Sequence, residues 1–178
     1  MIDYDKIAAA VQQYRQLGYH YIAVPWVIQR EPYQATAPES AWPFFTLGGF
    51  LPASGEQSFL QLLLDGKLAA GRYCCVTPCY RDEVYDTLHL PYFFKVELIE
   101  VGTRDYVQVK EHARTFFNHY CSVSEELISA TQTDLVETKT GIELGSYGWR
   151  EYRDFTWSYG TGVAEPRLSQ VLLRAKSA

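Results

Sequence analysis

The segment 72–100 constrains the fold most. Two runs rich in aromatic, β-branched and cysteine residues, 72–78 and 92–100, flank a short polar loop and read as the strands of one antiparallel hairpin. The hairpin carries Thr77-Pro78-Cys79-Tyr80-Arg81-Asp82-Glu83 on its way up and His89-Leu90-Pro91-Tyr92-Phe93-Phe94-Lys95-Val96-Glu97-Leu98 on its way down, with five residues between Glu83 and His89. A hairpin chosen only for stability alternates apolar and polar residues around a Gly or Asn turn. This one gathers an arginine, carboxylates, a histidine and exposed-looking rings near its tip, and that concentration points to a site.

Helical spacing of Ile7, Val11, Tyr14 and Leu17 ahead of Gly18 predicts an amphipathic helix over 5–17. A strand is expected over 21–28, at a sheet edge or subunit contact because Pro25 cannot donate to a ladder. The stretch 31–52, rich in Pro, Ala, Gly and aromatics, reads as an ordered loop, and 56–65 as a short helix ended by Gly66. Apolar steps of three and four from Tyr106 to Leu127 predict a six-turn helix over 105–127. Strands follow over 133–137, 141–145 and 154–159, then a helix over 165–175. The order of elements gives an α+β class, an antiparallel β-sheet flanked by helices, in one domain spanning 1–178.

Nearly half of the 178 residues are apolar, enough for a real core. A net charge of −5 argues against a protein whose main task is to grip a long nucleic-acid backbone. No basic region followed by an apolar run opens the chain and no apolar stretch approaches a membrane span, so a cytoplasmic protein without a membrane partner is expected. Cys74, Cys75, Cys79 and Cys121 lack the spacing of a zinc site or disulfide framework and are expected to be reduced.

Three separated segments, taken together and in order, resemble the three signature motifs of class II aminoacyl-tRNA synthetases. Gly18-Tyr19-x-x-Ile22-x-x-Pro25-Trp26-Val27 is similar to motif 1, which builds the dimer interface in that family. The hairpin resembles motif 2 through Arg81, Glu83, His89, Phe93 and Glu97. Gly160-Thr161-Gly162-Val163-Ala164-Glu165-Pro166-Arg167 resembles motif 3, a glycine-rich strand running into a helix with an arginine in its first turn. The seryl-tRNA synthetases are the nearest in wording. Ser54-Gly55-Glu56 falls where they carry the loop that recognises the amino acid, and Glu143-Leu144-Gly145-Ser146 where they carry a glutamate and a serine for the metal-ATP complex.

The resemblance implies attack of a carboxylate on the α-phosphorus of ATP, a reaction that needs two anions positioned and their charge neutralised. Arg81 would hold the acid's carboxylate and the α-phosphate, because its planar fork donates to two oxygens at once. Glu83 would accept from the adenine amino group, Phe93 would stack on the base, and Arg167 would pair with the γ-phosphate. Gly160 and Gly162 would lie against the nucleotide, although glycines in a strand also mark a bulge or close packing. Glu143, with Ser146, would hold Mg²⁺, a hard cation that prefers oxygen. Ser54 and Glu56 would either contact the amino acid or simply cap the helix that follows them. His89 would either reach the nucleotide or be a capped or solvated loop histidine. Glu97 shares a strand face with Phe93 and could contact a substrate amino group; buried without a cation it would be costly.

The resemblance covers a catalytic core, with no counterpart of the long helical arm or the anticodon-binding domain that hold tRNA, and the 83–89 loop is shorter than the one that reaches the acceptor end. tRNA is therefore a doubtful partner. The leading expectation is a stand-alone homodimeric core that uses ATP and Mg²⁺ to activate a small amino or carboxylic acid, with a carrier protein, another protein or a small nucleophile as acceptor. The rivals are a non-catalytic dimeric module that binds a nucleotide or amino acid for regulation, and a tRNA ligase working with a separate tRNA-binding chain.

Overall fold

The computed structural model describes residues 1–37, 42–82 and 85–177. Asp3 starts the first helix, α1 (Tyr4–Gln16), by accepting from the Asp5 and Lys6 amides at 3.1 and 3.2 Å. Ile7, Ala10 and Tyr14 bury one side of it, and Gly18 stops it with the positive φ that a helix end favours. The edge strand that follows, β1, is only His20–Tyr21 rather than 21–28. Ile22 still donates to the Cys74 carbonyl, but Pro25 has no amide to offer and the chain leaves the sheet; farther on, Ile28 makes an isolated bridge to Phe50, outside that sheet.

Part of the expected loop is structured. It holds the helix α2 (Arg30–Thr36), whose Pro32 falls in the first turn where no amide is needed, and a small hairpin of β2 (Phe45–Thr46) and β3 (Gly49–Phe50). α3 (Gly55–Leu64) follows, capped by Ser54, then β4 (Gly71–Tyr80) and β5 (Tyr92–Val101), which pair without interruption from Gly71↔Val101 to Tyr80↔Tyr92. The long helix expected over 105–127 is α4 (Val107–Phe117) alone. The Cys121 amide closes a turn on the Phe117 carbonyl, and 123–129 becomes β6 (Val123–Ser129), laddered against β7 (Gln132–Glu137). Leu127, the last residue of the helical spacing, is 74% exposed, so the pattern there marks no buried stripe and strand pairing prevails. β8 (Glu143–Tyr152) and β9 (Phe155–Glu165) are longer than expected and lead into α5 (Arg167–Ser177).

The main sheet runs β1-β4-β5-β9-β8-β7-β6, antiparallel except where β1 joins β4. Side chains alternate across it. Val96, Leu98, Leu144, Tyr147 and Val163 pack beneath α1, α4 and α5 on one face, while Cys75, Ile99, Trp157 and Tyr159 pack with α3 on the other. α3 covers only part of that second face. Along β5 the stripe that starts under α3 at Ile99 continues as Glu97, Lys95 and Phe93 into an uncovered hollow. No helix among the described residues is long and apolar enough to cross a membrane.

A bulge in β9 shapes the floor of that hollow. Val96 pairs with Val163 and Glu97 with Thr161, leaving Gly162 as the extra residue. Tyr14 donates to the Gly162 carbonyl at 2.9 Å and Tyr147 to the Thr161 carbonyl at 2.6 Å, so groups displaced from the ladder are satisfied from the helix side.

Candidate active site

The hollow is a cavity of about 450 Å³ walled by the open ends of β4, β5, β8 and β9 and by the start of α3. Phe93, Lys95 and Glu97 reach it because they occupy alternate positions of β5, and Thr161 and Ala164 reach it because the β9 bulge falls between them. Gly160 and Gly162, expected at the nucleotide, serve the opposite face. A Cβ on Gly160 would lie 2.5 Å from the Tyr147 ring and one on Gly162 2.7 Å from that of Tyr14, so their missing side chains make room for the two tyrosines while Thr161 forms the wall.

Arg81 sits at the mouth, where its Nε donates to the Ala53 carbonyl at 3.1 Å and its guanidinium lies 5.2 Å from the centre of the Phe93 ring. Glu83 lies outside the described residues. His89 is held within its own loop by Asp86, which accepts from the Leu88 and His89 amides at 2.6 and 2.8 Å, and the His89 Nδ1 lies 3.0 Å from the same oxygen. These amides hold the Asp86 carboxyl down at about 2. The His89 ring also borders a narrow crevice beside Phe93 and Arg167, at the rim of the cavity rather than inside it. Arg167, in the first turn of α5, bonds Glu143 at 3.1 Å across the cavity.

Ser54 has two roles at once. Its Oγ accepts from the Glu56 amide at 3.3 Å as a helix cap and donates to Glu97 Oε2 at 2.7 Å. α3 comes this close because residue 55 is glycine: a Cβ there would lie 2.8 Å from Glu97 Cβ and 2.8 Å from Thr77 Cγ2. Glu97 is 1% exposed, with Lys95 Nζ 2.9 Å from Oε1. The angles of that contact make it an ion pair and leave Oε1 without a directed hydrogen bond.

Four residues complete the site beyond those expected from sequence. Lys95, between Phe93 and Glu97, lay within the quoted motif. Arg150 donates to Glu56 Oε2 at 2.6 Å and Trp157 Nε1 to Glu56 Oε1 at 2.7 Å, and both lie in aromatic-rich sequence with no motif to mark them. Burial pushes the Glu56 carboxyl up against the pull of Arg150. Asp134 is the cross-strand partner of Ser146; its Oδ1 and the Ser146 Oγ are buried without a hydrogen bond of good geometry. Burial, and the nearby Glu143, push the Asp134 carboxyl up, although the Ser146 hydroxyl lies close enough to pull it partly down. A hard cation would satisfy these oxygens, although no cluster of three or more His, Cys, Asp or Glu side chains able to hold a metal occurs among the described residues. The four cysteines are free, and burial raises the Cys74 and Cys79 thiols to about 12, far from reactive.

A helix-backed antiparallel sheet with this arginine-lined hollow is the catalytic-core architecture of class II synthetases, and the family description for class II tRNA synthetases (D, K and N) matches residues 3–153. The chain belongs to that family. No curated protein matches it in sequence. Among solved structures, the pyrrolysyl-tRNA synthetase PylSc of Desulfitobacterium hafniense superposes with a TM-score of 0.71 at 17% identity, over 97% of this chain and 66% of that one. The cytoplasmic serine-tRNA ligase of Naegleria fowleri, in complex with AMP, gives 0.70 at 18% identity over 93% of this chain and 46% of its own. The seryl-tRNA synthetase of Pyrococcus horikoshii, complexed with ATP, gives 0.70 at 12% over 92% and 48%. The chain thus spans about half of the seryl enzymes and just under two thirds of the pyrrolysyl enzyme.

Proposed function

We propose that the chain activates a small amino or carboxylic acid with ATP as a stand-alone core and passes the acyl group to an acceptor other than tRNA. One observation carries the reading. The cavity brings Arg81, Phe93, Glu97, Glu143 and Arg167 together from the residue just past β4 and from β5, β8 and α5, five residues that a purely structural hollow has no need to gather.

In the reaction a carboxylate oxygen bonds to the α-phosphorus, the bond from that phosphorus to the oxygen bridging to the β-phosphate breaks, and pyrophosphate leaves. The guanidinium of Arg81 holds the two reacting anions together and offsets the charge that develops between them. The Phe93 ring receives the base, Arg167 the terminal phosphate, and Glu97 the substrate ammonium through Oε1, which it shares with the Lys95 ion pair. Glu143, Ser146 and Asp134 would hold Mg²⁺, which supplies charge neutralisation at the phosphates. Arg167 would then exchange Glu143 for phosphate.

A second copy of the chain is the proposed partner. The edge formed by α1 and β1 presents an open groove of about 760 Å³ lined by Tyr4, Ile7, Ala8, Val11, Tyr21 and Val76, and the motif 1 resemblance supports a dimer contact here.

Amino-acid-dependent exchange of pyrophosphate into ATP, run with all twenty amino acids, tests the chemistry. Exchange with at least one acid is expected, falling by at least about a hundredfold in Arg81→Ala. No exchange with any acid, together with no ATP binding by calorimetry, overturns the reading.

A further inference from the structure

Glu56 and Glu97 both face the cavity, and they differ in what remains open on them. Arg150 and Trp157 are direct partners across the β8–β9 ladder, so their side chains emerge side by side on one face. The first turn of α3 brings Glu56 down onto both. Arg150 binds one carboxylate oxygen and Trp157 the other, at 2.6 and 2.7 Å, with Glu56 only 4% exposed. The guanidinium is committed on a second side as well. It lies 4.7 Å from the centre of the Tyr159 ring, and the Tyr159 hydroxyl donates to Gln132 at 3.3 Å. Gly148, opposite Tyr159 in the ladder, leaves the space that ring fills, since a Cβ there would lie 2.8 Å from the Tyr159 hydroxyl. Glu97, in contrast, keeps an oxygen without a directed hydrogen bond.

The order along the strands fixes which end of the cavity this pair occupies. Running down β9 from Ala164, opposite Lys95, the wall passes Thr161 opposite Glu97, then Tyr159, then Trp157. With the nucleotide at Phe93, the reacting carboxylate at Arg81 and the ammonium at Glu97, the substrate side chain is left to face Glu56, Arg150 and Tyr159. We propose that this ion pair is a charge-cancelled floor that selects an acid with an uncharged side chain and rejects both acidic and basic ones. The inference rests on the adenylation reading for the placement of the substrate. An acidic side chain would meet Glu56 and a basic one Arg150; drawing Arg150 away leaves the Glu56 carboxylate, 4% exposed, buried and alone, a penalty that corresponds to at least about a hundredfold in affinity, while a basic side chain is met by the like charge of the partly exposed Arg150 guanidinium.

The test is a binding panel read by thermal shift and calorimetry in the presence of ATP, with pyrophosphate exchange measured in parallel. Amino acids with neutral side chains are expected to stabilise the wild type, aspartate and glutamate to bind at least about a hundredfold more weakly, and lysine and ornithine to bind at least about tenfold more weakly. Glu56→Gln frees Arg150 and is expected to gain affinity for aspartate or glutamate by about tenfold or more; Arg150→Gln frees Glu56 and is expected to gain affinity for lysine or ornithine. An ATP-induced shift equal to that of the wild type certifies that each variant is folded, and the wild-type panel decides the matter if either is not. A charged amino acid as the best wild-type ligand overturns the inference, as does unchanged selectivity in two folded variants or no amino acid bound where ATP still binds. Neutral binding without exchange leaves the selectivity standing and removes the adenylation reading instead.

Discussion

Tyr14 shows how one atom supports the cavity from beneath. Its ring is fully buried and its hydroxyl donates to the Gly162 carbonyl, which the bulge has taken out of the ladder. Burial holds that hydroxyl well above its ordinary pKa, so it is a donor at every working pH. Tyr14→Phe leaves the carbonyl dry and unpartnered and is expected to destabilise the protein by about 1–3 kcal/mol, measured by urea denaturation. The same scale explains what the sequence could disclose of the site. Arg81, Phe93, Glu97, Glu143 and Arg167 lie within short linear motifs and were legible. Arg150 and Trp157 were not, because their meaning comes from standing opposite each other across β8 and β9 and from where α3 lands, and neither fact is local in sequence. Asp134 was missed for the same reason. In sequence it is one polar residue among several in the strand Gln132–Glu137, a pattern that fits an exposed edge equally well.

At the scale of elements, the β4–β5 hairpin was legible nearly to the residue, since two runs of strand formers flank a loop whose ends must meet. The helix at 105–127 was overextended because Tyr120 and Val123 do pack against the core, and so keep the helical spacing, from a turn and a strand rather than from a helix, while Leu127 at its end is exposed. α2 was missed because its Pro and Ala content reads as loop unless the first turn is known to begin at Arg30. The hairpin tip carries its own pH dependence. Asp86 is anchored by two amides and the His89 ring, so its carboxyl is depressed to about 2 against an unfolded value of about 3.9. Depression of an acid contributes order that is complete above the unfolded value and lost as pH falls through about 2. An NMR titration of the Asp86 carboxyl is therefore expected to give a midpoint near 2, and one at 3.9 or higher would show that the loop does not hold this capped form.

For the whole molecule, the two faces of the sheet have separate tasks. The α1, α4 and α5 face is closed and apolar, and the α3 face is half core and half cavity. The outer surface of α1 remains open, with Tyr4 and Tyr21 62% and 46% exposed. A dimer of twice 20.4 kDa is expected by light scattering, and Val11→Glu, on the groove of α1, is expected to yield a folded monomer. A wild-type monomer at micromolar concentration would refute the interface.

The pairing of β5 with β9 has a consequence in time. Phe94 meets Glu165 and Val101 meets Trp157, so the middle of the sheet joins segments far apart in the chain, while α4 and the β6–β7 hairpin between them are built from near neighbours. Closing so long a loop costs entropy before any contact repays it, which makes such pairings slow. The locally wired pieces can therefore form early, and the hollow comes into being only when the last long strand docks beside the fifth. During refolding the cavity should be the latest feature to arrive, and on a ribosome it cannot exist until the chain has been made as far as Arg167.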